Sequence, residues 1–399
     1  MTRTGIWIVG ARGGVATTTV VGALAIARGL TSTTGCVSTL PAFSKLPLPA
    51  FDEFVFGGHD LDATTSFADD TLELARVGRF IDPQLIHALR ADLDAYGSRI
   101  RRGITTNCGP AVTRQRAESA GESTIPLREQ LAALENDLRS FRTEHALDEV
   151  VVVNLASTEP PLDADPAHAS AQALDDAIQH DRTSLVRASS LYAIAALRTG
   201  CAFVNFTPSN AAMLRGIIEL AEARGLPIAG SDGKTGETLV KAALAPMFAH
   251  RNLRVLSWQG YNMLGDRDGE VLADPEHRRS KVHSKDGVVS GILGYPVHTH
   301  VGIDFVPSLH DHKTAFDLVH FEGFLGHRMM LTFTWLGCDS ILAAPLVLDL
   351  ARFSVAALRR REPGIQKHLA CFFKSPNGVT EHDFHKQFEA LLEYAARAG

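Results

Sequence analysis

Cysteine is scarce and poorly placed for cross-linking. The 399-residue chain has 5, at Cys36, Cys108, Cys201, Cys338 and Cys371, far apart and without a C-x-x-C pair. An odd, scattered set fits neither a disulfide framework nor a zinc ribbon, and it predicts a reducing, cytoplasmic setting. Tryptophan (3) and tyrosine (5) are few, so the 20 phenylalanines carry most of the aromatic content. Excess positive charge is missing: the formal net charge is −6 and the pI is near 6.3. A nucleic-acid partner is therefore not expected. No apolar run approaches the roughly 20 residues of a membrane helix, which predicts no membrane partner. Thr2–Val9 opens directly as a strand without signal-peptide regions, and no repeat or low-complexity segment is present. What remains is a globular chain of two or three domains, at roughly 100–200 residues each. Histidine, by contrast, is abundant, with 17.

The order of elements predicts an α/β chain. Gly5–Val9 reads as a buried strand, Gly10-Ala-Arg-Gly13-Gly14-Val15 as a turn, and Ala16–Leu30 as a helix. This is the opening unit of a dinucleotide-binding fold. Apolar strands at Val150–Asn154, Ala202–Phe206 and Pro227–Gly230 alternate with helices at 125–146, 191–199 and 209–224, the pattern of a doubly wound parallel sheet. From about 254 to 330 the pattern changes to strand-like runs, at 254–258, 287–295, 297–306 and 328–335. The period of two in Val297–Asp304 suits an antiparallel sheet packed on one face. Helix returns over 340–361. The reading is a Rossmann-like domain over 1–240, completed by 341–399, with an inserted α+β catalytic and oligomerisation domain over 241–340. The stretches 31–49 and 100–126 read as long loops.

Three features could carry chemistry. Gly10, Gly13 and Gly14 free the backbone to approach a pyrophosphate, although the spacing is G-x-x-G-G and not G-x-G-x-x-G. Asp60, in Phe56-Gly-Gly-His-Asp60, is of the type that binds adenosine ribose hydroxyls, but it lies further from the turn than usual. Arg278, Lys281 and Lys285 would share one face of a helix, and Lys234, Lys313 and Lys374 add further cations to an acidic chain. Such a set can neutralise a phosphate and hold oxyanions. Gly233-Lys-Thr235 looks like a phosphate-loop ending, but Ile228 stands where that loop needs glycine.

The motifs around these residues carry a family resemblance. Gly10–Thr18, Val55–Asp60, Asn205–Asn210, Ser231–Thr238, Tyr261–Gly265, Arg279–Lys285 and Cys338–Pro345 follow in order along the chain. Together they resemble the myo-inositol-1-phosphate synthase family over nearly the whole length. The resemblance implies NAD contacts at Gly10, Arg12, Gly13, Gly14 and Val15, with Asp60 at the ribose. Ser157, Thr158, Asn205, Asp232 and Asp268 would line the cofactor. Asn262, Lys281, Lys285, Lys313 and Lys374 match the groups around the sugar phosphate. Thr235 and Asp339 match positions near the nicotinamide, where some members hold a monovalent or divalent cation. A homotetramer is implied as well.

The implied reaction is redox-neutral overall. NAD⁺ takes a hydride from C5 of glucose 6-phosphate, and the ketone acidifies the neighbouring C6–H. The enolate carbon attacks the C1 aldehyde, and the hydride returns. Lys281 and Lys313 would serve the oxygen that is oxidised and reduced, Lys374 the aldehyde oxygen and Lys285 the phosphate. The chain departs from the family at His59, Met263, Asp266, Arg267 and His312, which makes substrate identity the property in question. One alternative is a paralogue that cyclises fructose 6-phosphate to a five-membered cyclitol phosphate. Others are a sugar-phosphate dehydrogenase and a non-catalytic NAD-binding regulator. His298-x-His300 and His310-x-His312 could each offer two imidazoles on one side of a strand, but satisfied or surface histidines are the preferred reading and no metal residue is assigned. His312 and His59 are expected at the substrate and cofactor walls.

Overall fold

The computed structural model describes residues 2–61, 66–110, 112, 125–265, 269 and 288–398. Its strands are β1 (Thr4–Val9), β2 (Phe54–Asp60), β3 (Ile100–Arg102), β4 (Glu149–Asn154), β5 (Ala202–Asn205), β6 (Pro227–Gly230), β7 (Arg254–Leu264), β8 (His298–Phe305), β9 (His312–Glu322), β10 (Arg328–Cys338) and β11 (Gly364–Ile365). Seven of them form one parallel sheet in the order β11-β6-β5-β4-β1-β2-β3. All six residues of β1 are buried, Thr4 included, as expected of a strand in a sheet covered on both faces.

Alternation along β1 supplies two cores. Ile6 and Ile8 face a layer that contains the helices Gly14–Ala27 and Asp339–Arg360. Trp7 and Val9 face the other layer, built from Leu127–Glu144, Ala171–Gln179, Ala188–Arg198 and Arg215–Arg224. In Leu127–Glu144 the buried Leu127, Leu131, Leu134, Leu138 and Phe141 recur at three- and four-residue spacing, one stripe of an amphipathic helix. Each such side chain contributes roughly 1.5–3 kcal/mol by leaving water. Arg215–Arg224 stops at Gly225, whose φ of 69° suits glycine.

The second sheet has the order β10-β9-β7-β8. Its inner face packs through Val255, Trp258 and Val319 on Ala245 and Phe248 of the helix Glu237–His250. Its outer face leaves Tyr261, Phe316 and Leu336 exposed. Tyr261 and Phe316 are register partners between β7 and β9.

Several expectations need correction. The sheet is mixed and not antiparallel, because β8 runs parallel to β7. Residues 288–293 are helical and not strand: Val289, Ile292 and Leu293, at three- and four-residue spacing, pack against the Phe248 core. β7 runs on past Trp258 to Leu264, and β9 begins inside the polar stretch around Lys313 that carried no strand signal. Phe54–Asp60 is likewise a strand beside β1, hidden by its paired glycines. Finally, the 22-residue helix Asp339–Arg360 is long and apolar enough to cross a membrane. Two-thirds of its apolar stretch is buried inside the protein, so it is the core helix beneath the parallel sheet.

Candidate active site

The strand order reverses between β1 and β4, since β1 leads on to β2 on one side and to β4 on the other. A crevice at the carboxyl ends of strands at such a switch point is where open α/β sheets hold ligands. Gly10 sits there with φ of 84°, and a Cβ on it would lie 2.9 Å from Ala156 Cα, just past β4. The His59 carbonyl accepts hydrogen bonds from Gly10 N and Ala11 N at 2.9 and 3.1 Å. Asp60 accepts from Arg12 N at 2.7 Å through one oxygen and from Leu61 N at 2.7 Å through the other. Arg12 in turn reaches Asp70 at 2.5 Å. Gly13 caps the first helix without a side-chain hydrogen bond, and no acidic residue occupies that first turn. This leaves a positive helix end facing the crevice.

Of the other assigned cofactor residues, those described lie along the same edge. Ser157 and Thr158 follow β4, and Asn205 ends β5, fully buried. Asn205 Oδ1 accepts from Asn154 Nδ2 and Thr207 Oγ1, and its Nδ2 donates to Ser231 Oγ at 3.1 Å. Val15 lies in the first helical turn and Asp339 opens the long helix. A Cβ on Gly14 would lie 2.7 Å from Ser340 Oγ and 3.2 Å from Asp311 Oδ1, so the starts of these two helices almost touch. Asp311 accepts from Ser340 N and Oγ at 3.0 and 2.7 Å, and burial pushes its carboxyl pKa up.

A backbone clasp brings Lys374 in. Ser231 N donates to Ser375 O, Lys374 N to Asp232 O and Lys234 N to Phe372 O. Lys374 Nζ then donates to Asp232 Oδ1 at 2.7 Å. Asp232 has φ of 63°, the left-handed region that a short polar side chain tolerates. At the far end of the same run, a Cβ on Gly236 would lie 3.4 Å from Lys313 Nζ. Lys313 Nζ is 3.4 Å from both carboxylate oxygens of Asp339. The segment Asp232–Gly236 therefore has one assigned lysine at each end. Thr235, within it, is buried.

Beneath this segment lies a group of buried charges that the sequence reading left unassigned. Glu237 pairs with Lys241, whose Nζ is 3.8 Å from Asp317 Oδ1, and Trp258 Nε1 donates to Asp317 at 2.8 Å. Asn262 Nδ2 donates to Glu237 Oε2 at 2.5 Å. Lys234, also buried, donates to Gln387 at 2.5 Å, and burial pulls its pKa down to about 8, with Lys374 adding to the fall. Helical spacing of Glu237 and Lys241 was the available signal for the first group; nothing local marks Asp317.

Lys281, Lys285 and Asp268 lie outside the described residues, as do Asp266 and Arg267. Two histidine expectations are corrected. His59 points away from the crevice, accepting from Trp7 Nε1 at 2.8 Å and meeting Asp137 at 3.0 Å, with its pKa lowered by burial. Alternation along β2 turns neighbouring side chains to opposite faces, which separates it from Asp60. The His312 imidazole meets the Gly78 carbonyl at 3.0 Å instead of a substrate wall. Met263 belongs to the outer face, opposite Asn262 on the strand. Among the described residues no group of three or more His, Cys, Asp or Glu side chains could hold a metal ion.

Comparison with known proteins decides the family. An NAD-binding family model described as myo-inositol-1-phosphate synthase matches residues 4–396. The chain belongs to the myo-inositol-1-phosphate synthase family. Its cofactor is NAD, and the uncapped helix start, the glycine turn and Asp60 fit a dinucleotide at the β1/β4 switch point. A relative from Bacteroides thetaiotaomicron, "Inositol-3-phosphate synthase 1", is 33% identical over 97% of this chain and 91% of its own length. The human "Inositol-3-phosphate synthase 1" is 31% identical over 78% of this chain, a match spanning 56% of the human protein. Among solved structures, the Caenorhabditis elegans inositol-3-phosphate synthase superposes with a TM-score of 0.87 at 25% identity, covering 100% of this chain and 86% of that one. A myo-inositol-1-phosphate synthase-related protein from Thermotoga maritima gives 0.77 at 25% identity, covering 99% and 98%. Membership in the myo-inositol-1-phosphate synthase family agrees with the Rossmann-like parallel sheet read from the sequence.

Proposed function

We propose that this chain converts glucose 6-phosphate to a myo-inositol phosphate in an NAD-dependent, net redox-neutral cyclisation. The observation that carries the reading is the placement of Lys313 and Lys374 at the two ends of Asp232–Gly236, beside the starts of two helices at the switch point. Bound NAD would supply a hydride acceptor and donor for one carbon, held by Gly10, Arg12, Gly13, Gly14, Val15 and Asp60, with Ser157, Thr158, Asn205, Asp232, Asp268 and Asp339 along its length. The protein's own part is charge and proton handling. With Lys313 as its carrier, the C5 hydroxyl proton leaves as C5 is oxidised and returns as C5 is reduced; between the two, Lys313 and Lys281 hold the carbonyl oxygen, so the C6 proton can leave to a base and its electrons spread onto that oxygen. C6 then bonds to C1, and Lys374 gives a proton to the aldehyde oxygen as it becomes a hydroxyl. Lys285 takes the phosphate and Asn262 a sugar hydroxyl. Burial around Asp232, Lys374 and Asn262 keeps water from competing for these protons.

The exposed row of Tyr261, Phe316 and Leu336 supports the use of the outer sheet face as a subunit contact, in a homotetramer. The fructose 6-phosphate alternative drew on the departures His59, Met263, Asp266, Arg267 and His312; Asp266 and Arg267 lie outside the described residues, and the other three side chains point elsewhere, which favours glucose 6-phosphate. The test is to supply each hexose phosphate separately with NAD⁺ and identify products by NMR. A six-membered cyclitol phosphate from glucose 6-phosphate, without accumulating NADH, is expected. A five-membered product from fructose 6-phosphate, stoichiometric NADH, or NAD binding without turnover would each overturn the reading.

A further inference from the structure

Asn262 is 1% exposed, and only one end of its amide is paired. Its Nδ2 donates to Glu237 Oε2, whereas its Oδ1 is buried with no hydrogen-bond partner. A carboxylate accepts and does not donate, so the nitrogen must face Glu237 and the oxygen must face away. An unsatisfied buried carbonyl costs about 1–3 kcal/mol, a cost a protein keeps where something else completes the bond.

Glu237 is itself held in place. Lys241, one helical turn on, pairs with it, and Asp317 stands behind Lys241 with Trp258 bonded to it. The Lys241 ammonium and the Asn262 N–H meet different oxygens of the Glu237 carboxylate. Gly260 makes the space: a Cβ there would lie 3.0 Å from both Asp317 Oδ1 and Lys241 Nζ. The strand register puts Lys313 on the same sheet face as Asn262, and Lys313 Nζ borders Gly236, the residue before Glu237. The unpaired oxygen thus belongs to the wall that carries Lys313.

We propose that Glu237 is a positioning residue: it fixes the Asn262 amide so that Oδ1 serves as an acceptor for a hydroxyl of the sugar phosphate. This rests on the reaction proposed above, and it adds the polarity of that contact and the group that sets it. Asn262 then reads a hydroxyl and discriminates against an acceptor-only group, such as a carbonyl, at the same place.

Three variants test it: Glu237→Gln, Asn262→Asp and the double exchange. Glu237→Gln lets the amide turn, and kcat/KM for the hexose phosphate should fall roughly 10- to 100-fold, the worth of one buried hydrogen bond, with NAD affinity unchanged. Asn262→Asp sets two carboxylates against each other and should lower both kcat/KM and the melting temperature. The double variant restores a donor at 237 and an acceptor at 262, so both quantities should rise above those of Asn262→Asp. Wild-type kcat/KM in Glu237→Gln, or no recovery in the double variant, overturns the proposal. If wild type turns over neither hexose phosphate, the reaction assignment fails. The melting temperatures, measured without substrate, then still decide whether 237 orients 262.

Discussion

Lys313 and Asp339 face each other across the junction of the two sheets, one the second residue of β9 and the other opening the long core helix. The Lys313 ammonium stands 3.4 Å from each carboxylate oxygen, centred between them instead of committed to one. A pair this loosely held leaves the ammonium room to turn toward a substrate oxygen.

Replacing Lys313 with Met should lower kcat roughly 10²–10⁴-fold, the range for losing a positioned proton donor. Arginine should recover little, because a guanidinium does not give up its proton at neutral pH. Steady-state product formation measured by NMR checks both, and calorimetric NAD binding should persist in each variant.

Gly14→Ala sets two effects against each other. Alanine favours the helix over glycine by about 1 kcal/mol. The new Cβ, however, would press on Ser340 Oγ at 2.7 Å and Asp311 Oδ1 at 3.2 Å, and such overpacking costs roughly 1–3 kcal/mol. The expected result is a lower melting temperature together with weaker NAD binding. An alanine variant that is more stable than wild type would contradict it.

Lys234 should make stability rise with alkaline pH. Its pKa falls from the usual 10.5 to about 8 on burial. Below pH 8 both folded and unfolded chains hold the proton, and the full cost of burying the ammonium is present. Between 8 and 10.5 only the unfolded chain holds it, so the folded form gains. Wild type should gain on Lys234→Met by up to roughly 3 kcal/mol over that interval, as read by urea denaturation of both at pH 7.5 and 10.

A charged residue in the exposed row should separate subunits. Leu336 is 77% exposed and packs little within the chain, so Leu336→Lys should change monomer stability by no more than about 0.5 kcal/mol. Combined with Phe316→Lys it should shift the sedimenting species to a smaller assembly. An unchanged sedimentation coefficient would remove this face from the proposed subunit contact.

The parallel sheet was legible because β1, β4, β5 and β6 are short apolar runs between helical stretches, and both cores demand such runs. The second sheet was only partly legible. β9 hides behind His310–Lys313 because its first residues serve the junction, where Lys313 must be polar. The helix at 288–293 was misread because a six-residue apolar stretch carries too few turns to separate periods of two and 3.6. Motif order led to Asp232, Lys313 and Lys374, whereas only helical spacing tied Glu237 to Lys241 and nothing local marked Asp317. Their grouping depends on a helix start meeting the inner face of two strands, a relation no local pattern encodes. The misplaced histidines show the converse limit: a departure within a motif need not point into the site that the motif builds.

The clasp that seats Lys374 against Asp232 joins positions 142 residues apart. During synthesis the glycine turn, β2 and β4 leave the ribosome long before that lysine does. The core helix Asp339–Arg360, which packs under β1 and against Gly14, also emerges late, so the crevice and the clasp are both completed only when the last third of the chain has docked.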